Sequence, residues 1–144
     1  MTGKTCCSGS VSAPAMEVVY DRNVHTAAYH HPLKKEISLE GCSAFGGKGA
    51  DLNPIDLLVM GVGSCMLIVM GKAAESENLD IVGAKAIVSY DLENYQIAAI
   101  NVEIRLPKKL SPKEQSLLET ASQKCPVYLA INPSVKVTVS YCWG

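Results

Sequence analysis

Apolar and polar positions along this chain change their period several times, and each change marks an element. Val18-Val19-Tyr20 is strand-like, and Asp21-Arg22-Asn23 makes a turn into a second extended run, Val24 to His30, which Pro32 ends. Lys35-Glu36-Ile37-Ser38-Leu39 alternates with period two, the mark of a half-buried strand. These three segments predict a small antiparallel sheet. From Asn53 the period changes. Asn53 fits an N-cap and Pro54 the first helical position, so a helix is expected from there to about Glu77. Its first half is apolar on nearly every side, which predicts enclosure by protein all round, and its second half, from Lys72, turns polar.

Alternation then returns. Ala84, Ala86, Val88, Tyr90 and Leu92, then Ile100, Val102, Ile104 and Leu106, predict a hairpin across Glu93-Asn94-Tyr95 with one wet face. Ser111-Pro112-Lys113-Glu114 is a capping box. The helix it starts places Leu117, Leu118, Ala121 and Cys125 on one face, with Cys125 near its end. Val135, Val137, Val139 and Tyr141 alternate in a closing strand. The order is strands, helix, hairpin, helix, strand. The expected class is therefore α+β, with the first helix as the central element.

Composition narrows the reading. The 144 residues suit one domain, read as residues 16–144 behind a frayed tail of residues 1–15. The net charge of −1 has no basic stripe, which argues against nucleic acid and anionic membranes as partners. The N-terminal residues carry no apolar run of a secretory signal. The apolar stretch Leu57–Gly71 lies between Asp56 and Lys72 and falls short of the roughly 20 residues of a membrane span, so it reads as a core helix. Six cysteines permit three disulfides, yet the chain lacks the short, loop-rich character of stapled secreted domains. A reducing cytoplasm with most thiols free is expected.

Two thiols stand out. Cys65, alone, reads either as a small buried hydrophobe or as a reactive group. It lies about 18 Å from the helix start at about 1.5 Å per residue, beyond the reach of the helix dipole, so activation would need a cation or donor from elsewhere. Cys125 lies on the apolar face of the second helix. Gly61 and Gly63 clear space beside Cys65. Two core helices with one inward cysteine each outline a peroxidatic and resolving pair, or two packing residues.

Gly46-Gly47, Asn53-Pro54, Leu57-Leu58, Gly61, Gly63-Ser64-Cys65, Ala73 and then Cys125-Pro126-Val127 resemble the OsmC/Ohr family of thiol-dependent organic hydroperoxide reductases and osmotically induced proteins. The resemblance covers the chain from about residue 16 to its end. It implies an OsmC-like fold: two antiparallel β-sheets wrapped around central buried helices in an intertwined homodimer, with active sites between subunits. It also implies that Cys65 attacks the peroxide and that Cys125 condenses with the resulting sulfenic acid. An external dithiol, such as one on a lipoylated protein, would reduce that disulfide, and no cofactor is needed.

The peroxidase branch carries a glutamate after the proline that corresponds to Pro54. Here that position is Ile55, with Asp56 next along, and Asp56 reads equally as a dipole-complementing acid in the first turn. The branch also uses an N-terminal arginine to stabilise the thiolate, and Arg22 is the candidate in that region. The alternative function is a non-enzymatic, ligand-binding or redox-sensing dimer of the same fold. His25, His30, His31 and Cys42 fit no zinc spacing, and adjacent histidines on a strand point to opposite faces. Gly41 to Gly49 approaches a phosphate loop but has Cys42 where the first glycine belongs and Gly49 after the lysine. Cys142 reads as packing in the last strand.

Overall fold

The computed structural model describes residues 16–144; the tail of residues 1–15, with Cys6 and Cys7, lies outside the described residues. The chain divides into two compact units, one ending at Pro54 and one running from Ile55 to Gly144.

The first unit is an antiparallel sheet of β1 (Met16–Tyr20), β2 (His25–His30) and β3 (Lys35–Glu40), in that spatial order. The β1–β2 turn places Asn23 and Val24 both at positive φ, 55° and 57°. That left-handed pair suits the twist of a tight hairpin, and it is strained for a β-branched valine. After β3 the chain folds over the Glu40 carboxylate. Glu40 accepts from the backbone N–H groups of Lys48 at 2.6 Å, Ala50 at 2.9 Å and Asp51 at 3.4 Å. These donors hold its carboxyl below the usual range, against a smaller opposing effect of burial. One acidic side chain thus organises the whole glycine-rich approach to the helix.

The second unit holds α1 (Pro54–Ser76, all but its first residue), β4 (Lys85–Glu93), β5 (Gln96–Leu106), α2 (Pro112–Ser122), the one-turn α3 (Pro126–Leu129) and β6 (Lys136–Trp143). The β4–β5 hairpin is antiparallel and turns through Asn94 and Tyr95, again both at positive φ. β6 pairs with β5 in parallel, in register from Ala99↔Lys136 to Leu106↔Trp143. The second sheet is therefore mixed, which corrects the all-antiparallel expectation. The chain leaves the end of β5 through α2, and that crossover returns it alongside β5 in the same direction.

α1 also departs from expectation. Only one face is enclosed within the chain: Val59, Val62, Gly63, Met66, Met70 and Ala74, at helical spacing. They share a core with Ile100, Val102, Ile104 and Leu106 of β5 and Leu118 of α2. Each large aliphatic side chain buried there contributes about 1.5–3 kcal/mol. Leu58, Met60 and Ile68 on α1 stay exposed. At 23 residues, with a mean hydropathy of 1.9 over an 18-residue window, α1 is long and apolar enough to cross a membrane, beyond what the Leu57–Gly71 stretch alone suggests. Its buried face makes it the core helix of its unit.

Gly63 sets the closeness of helix and sheet. A Cβ at this position would lie 2.8 Å from Val88 Cγ1 and 3.2 Å from Ala86 Cβ. Alanine here would gain about 1 kcal/mol of helix propensity. Overpacking costs about 1–3 kcal/mol, and the stiff χ1 of Val88 leaves it little room to yield. Gly63→Ala is expected to lose about 1 kcal/mol net, or roughly 3–5 °C in Tm for a chain of this size. An unchanged or raised Tm in a thermal melt would contradict this packing.

Candidate active site

Cys65 sits on α1 two residues past Gly63, at the rim of the core, and is partly exposed. Cys125 is fully buried. It does not end the second helix as the periodicity suggested. α2 stops at Ser122, and Cys125 is instead the N-cap of the short α3. Pro126 explains this: the residue before a proline is driven out of the helical region, and the proline itself fits a first helical position.

Several bonds fix this corner. The Cys125 N–H donates to Ser122 O at 3.2 Å, and Lys124 N–H donates to Ala121 O at 2.9 Å. Ser122, fully buried, lies 2.6 Å from the Tyr141 hydroxyl of β6 and donates to Glu119 O at 2.8 Å. Tyr141 in turn stacks on Trp143, with ring centroids 5.7 Å apart. Burial raises the Tyr141 hydroxyl above its ordinary pKa, so it stays a neutral partner for Ser122.

The two thiols meet. Both are reduced, and the Cys65 side chain is a hydrogen-bonding neighbour of the Cys125 thiol. Burial is the main reason the Cys125 thiol is pushed up from its ordinary value, and the Cys65 bond adds to it. Two backbone donors pull the other way, Tyr128 N–H at 3.4 Å from Cys125 Sγ and Val127 N–H. Burial therefore favours Cys125 as the neutral thiol. The more open Cys65 is the sulfur that a solution reagent meets.

The other predicted residues are not all brought to this pair. Asp56 and Cys65 are nine positions apart on one helix (65 − 56 = 9), which is about 13.5 Å of rise and half a turn of rotation. Asp56 therefore faces away from the thiol of its own chain. Its carboxylate accepts from the Tyr90 hydroxyl of β4 at 3.0 Å, a partner with no signal in the sequence beyond its place on an inward-facing strand position. Arg22 belongs to the first unit, where it is exposed and lies 3.6 Å from Asp21.

The histidines have separate local partners. His25 Nε2 lies 2.6 Å from Ser38 Oγ and 3.1 Å from Asp51 Oδ2, His31 contacts Glu17, and His30 accepts from Leu33 N–H. Among the described residues no His, Cys, Asp and Glu side chains gather in a group of three suited to a metal ion. Cys142 is exposed, since strand alternation points its neighbours Tyr141 and Trp143 inward and turns it out, so the packing expectation for it is corrected.

The fold and the facing thiols define a class: an α+β protein with a reduced cysteine pair set between a core helix and a proline-started turn. The sequence profile of the OsmC-like protein family matches residues 47–140, and the chain belongs to that family. Solved structures agree on the fold. One, from Psychrobacter arcticus, is ascribed to osmotic stress induction and the detoxification response; it is 27% identical with a TM-score of 0.84, covering 90% of this chain and 96% of its own. An organic hydroperoxide resistance protein from Legionella pneumophila is 15% identical with a TM-score of 0.74, covering 93% and 99%. Another from Elizabethkingia anophelis is 15% identical with a TM-score of 0.72, covering 94% and 100%. No curated protein matches the chain.

Proposed function

We propose that this protein reduces organic hydroperoxides through the Cys65–Cys125 pair, within a redox and stress-response role consistent with its family. The single observation that carries the proposal is the hydrogen-bonded contact between a partly exposed and a fully buried thiol. Cys65, as thiolate, attacks one peroxide oxygen. The O–O bond breaks, the alkoxide takes a proton and leaves as alcohol, and Cys65 becomes a sulfenic acid. Cys125 then gives up its proton and attacks the Cys65 sulfur. Hydroxide is expelled, is protonated to water, and a disulfide remains. A dithiol restores both cysteines. The half-turn between Asp56 and Cys65 gives Asp56 a role at the thiol only if it comes from a second subunit, which fits the homodimer that the resemblance implies. Arg22, solvent-facing in its hairpin turn, is the proposed cation. The exposed apolar residues of α1 favour alkyl over hydrogen peroxide as substrate.

The test is mass spectrometry after one equivalent of cumene hydroperoxide. The expected product is a Cys65–Cys125 disulfide with loss of two hydrogens from the intact chain. If both thiols instead remain alkylatable, the protein is a binding dimer of this fold and not a peroxidase.

A further inference from the structure

The same corner that holds Cys125 has a consequence for the return half of the cycle, and it rests on the reading of the pair as redox-active. An attacking thiolate must approach a disulfide sulfur in line with the bond that breaks, so access decides which sulfur is attacked. Cys125 is enclosed on all sides, with 0% of its surface exposed, behind Leu118 and the α1 core. Cys65 is partly open. The amides at Val127 and Tyr128 already point at Cys125 Sγ, the latter at 3.4 Å. Pro126, between them and the cysteine, has no N–H to compete. These donors face the position where negative charge develops when the S–S bond breaks toward Cys125.

We propose that reduction is regiospecific: the thiolate of an external dithiol attacks the Cys65 sulfur, and the Cys125 sulfur leaves toward the Val127 and Tyr128 amides. A bond forms between the reductant's sulfur and Cys65, and the electron pair of the broken S–S bond passes to Cys125. Cys125 takes up a proton in its buried site, where the thiol is favoured. Protonation there suppresses its return attack on the mixed disulfide. The second thiol of the reductant, as thiolate, attacks the reductant's own sulfur in the mixed disulfide. Cys65 is released and is protonated. The dithiol leaves as a cyclic disulfide, oxidised by two electrons, and the protein disulfide is reduced by two.

The two sites are separable by peptide mapping, because trypsin places Cys65 in residues 49–72 and Cys125 in residues 125–136. Wild-type protein is oxidised with diamide, exposed briefly to glutathione, quenched with acid, alkylated in denaturant at mildly alkaline pH with a large excess of iodoacetamide, and digested. Glutathione, a monothiol, cannot complete the second step intramolecularly and so marks the sulfur first attacked. The expected result is glutathione on the 49–72 peptide and carbamidomethyl on the 125–136 peptide, at least tenfold over the reverse pattern. Equal labelling, or glutathione mainly on Cys125, overturns the proposal. Diamide keeps this test apart from the peroxidase reading. A disulfide formed with diamide but not with cumene hydroperoxide sinks only the peroxidase reading, whereas no Cys65–Cys125 disulfide with either oxidant overturns both.

Discussion

Cys65→Ser is expected to eliminate organic hydroperoxide consumption, with a fall on the order of 10³-fold or more, the scale seen when the one attacking atom of an enzyme is removed. The serine hydroxyl is nearly isosteric but is not ionised near neutral pH, so the step that breaks the O–O bond has no nucleophile. The Cys125 sulfur cannot stand in. It is enclosed, and burial keeps it protonated. Cys125→Ser should behave differently. Its first turnover survives, and a sulfenic acid at Cys65 accumulates, because the intramolecular route to a disulfide is gone. The measurement is loss of tert-butyl hydroperoxide under dithiothreitol, with a dimedone adduct at Cys65, formed in the absence of reductant, as the second readout. A Cys65→Ser protein of native circular dichroism that keeps more than a tenth of the wild-type rate would refute the assignment.

Gly47→Ala carries the largest expected effect on stability. A Cβ built on Gly47 would lie 1.6 Å from the Gly41 carbonyl oxygen and 2.7 Å from its carbon. Both are backbone atoms, so no change of rotamer removes the clash and the loop must be rebuilt. That loop is closed by Gly47 N–H donating to Cys42 O at 3.1 Å, and it delivers the amides of Lys48, Ala50 and Asp51 to Glu40. The cost is expected at or beyond the top of the overpacking range, about 3 kcal/mol. Hydrogen exchange at the Lys48 and Ala50 amides, with chemical denaturation alongside, measures it. Wild-type protection at those amides would show that the loop tolerates a side chain there.

Most elements were legible because their signals are local. Ser111 to Glu114 announced α2 through its own side chains, and both capping bonds form, Ser111 N–H to Glu114 at 2.7 Å and Glu114 N–H to Ser111 at 3.4 Å. Alternation located β3 to β6 for the same reason. Three features escaped. The parallel β5–β6 pairing depends on where the crossover returns the chain, which no local period records. Cys125 shared the apolar face of α2 by counting, yet Pro126 broke the count and made it a cap. The apolar run of α1 read as fully enclosed, because local composition does not distinguish a face buried by its own sheet from one left exposed, as at Leu58, Met60 and Ile68. At the candidate site, the sequence singled out the two thiols that meet. It also proposed an acid that its own helix turns away, since Asp56 and Cys65 differ by half a turn, and it gave no sign of the Tyr90 hydroxyl that holds Asp56.

The parallel register of β5 and β6 also bears on the order of assembly. Residues 107–135 form the excursion between these two strands, and Cys125 travels within it. Local pieces such as the β4–β5 hairpin close over a few residues, whereas this pairing must first close a long loop, and non-local pairings of that kind form slowly. Ser122, which sets the Cys125 corner, is anchored by Tyr141 of β6. The thiols, sixty residues apart in sequence (125 − 65 = 60), are thus expected to come into register late in folding. Protection of the enclosed Cys125 from a fast alkylating reagent during refolding is therefore expected to lag behind formation of the hairpin and of both long helices.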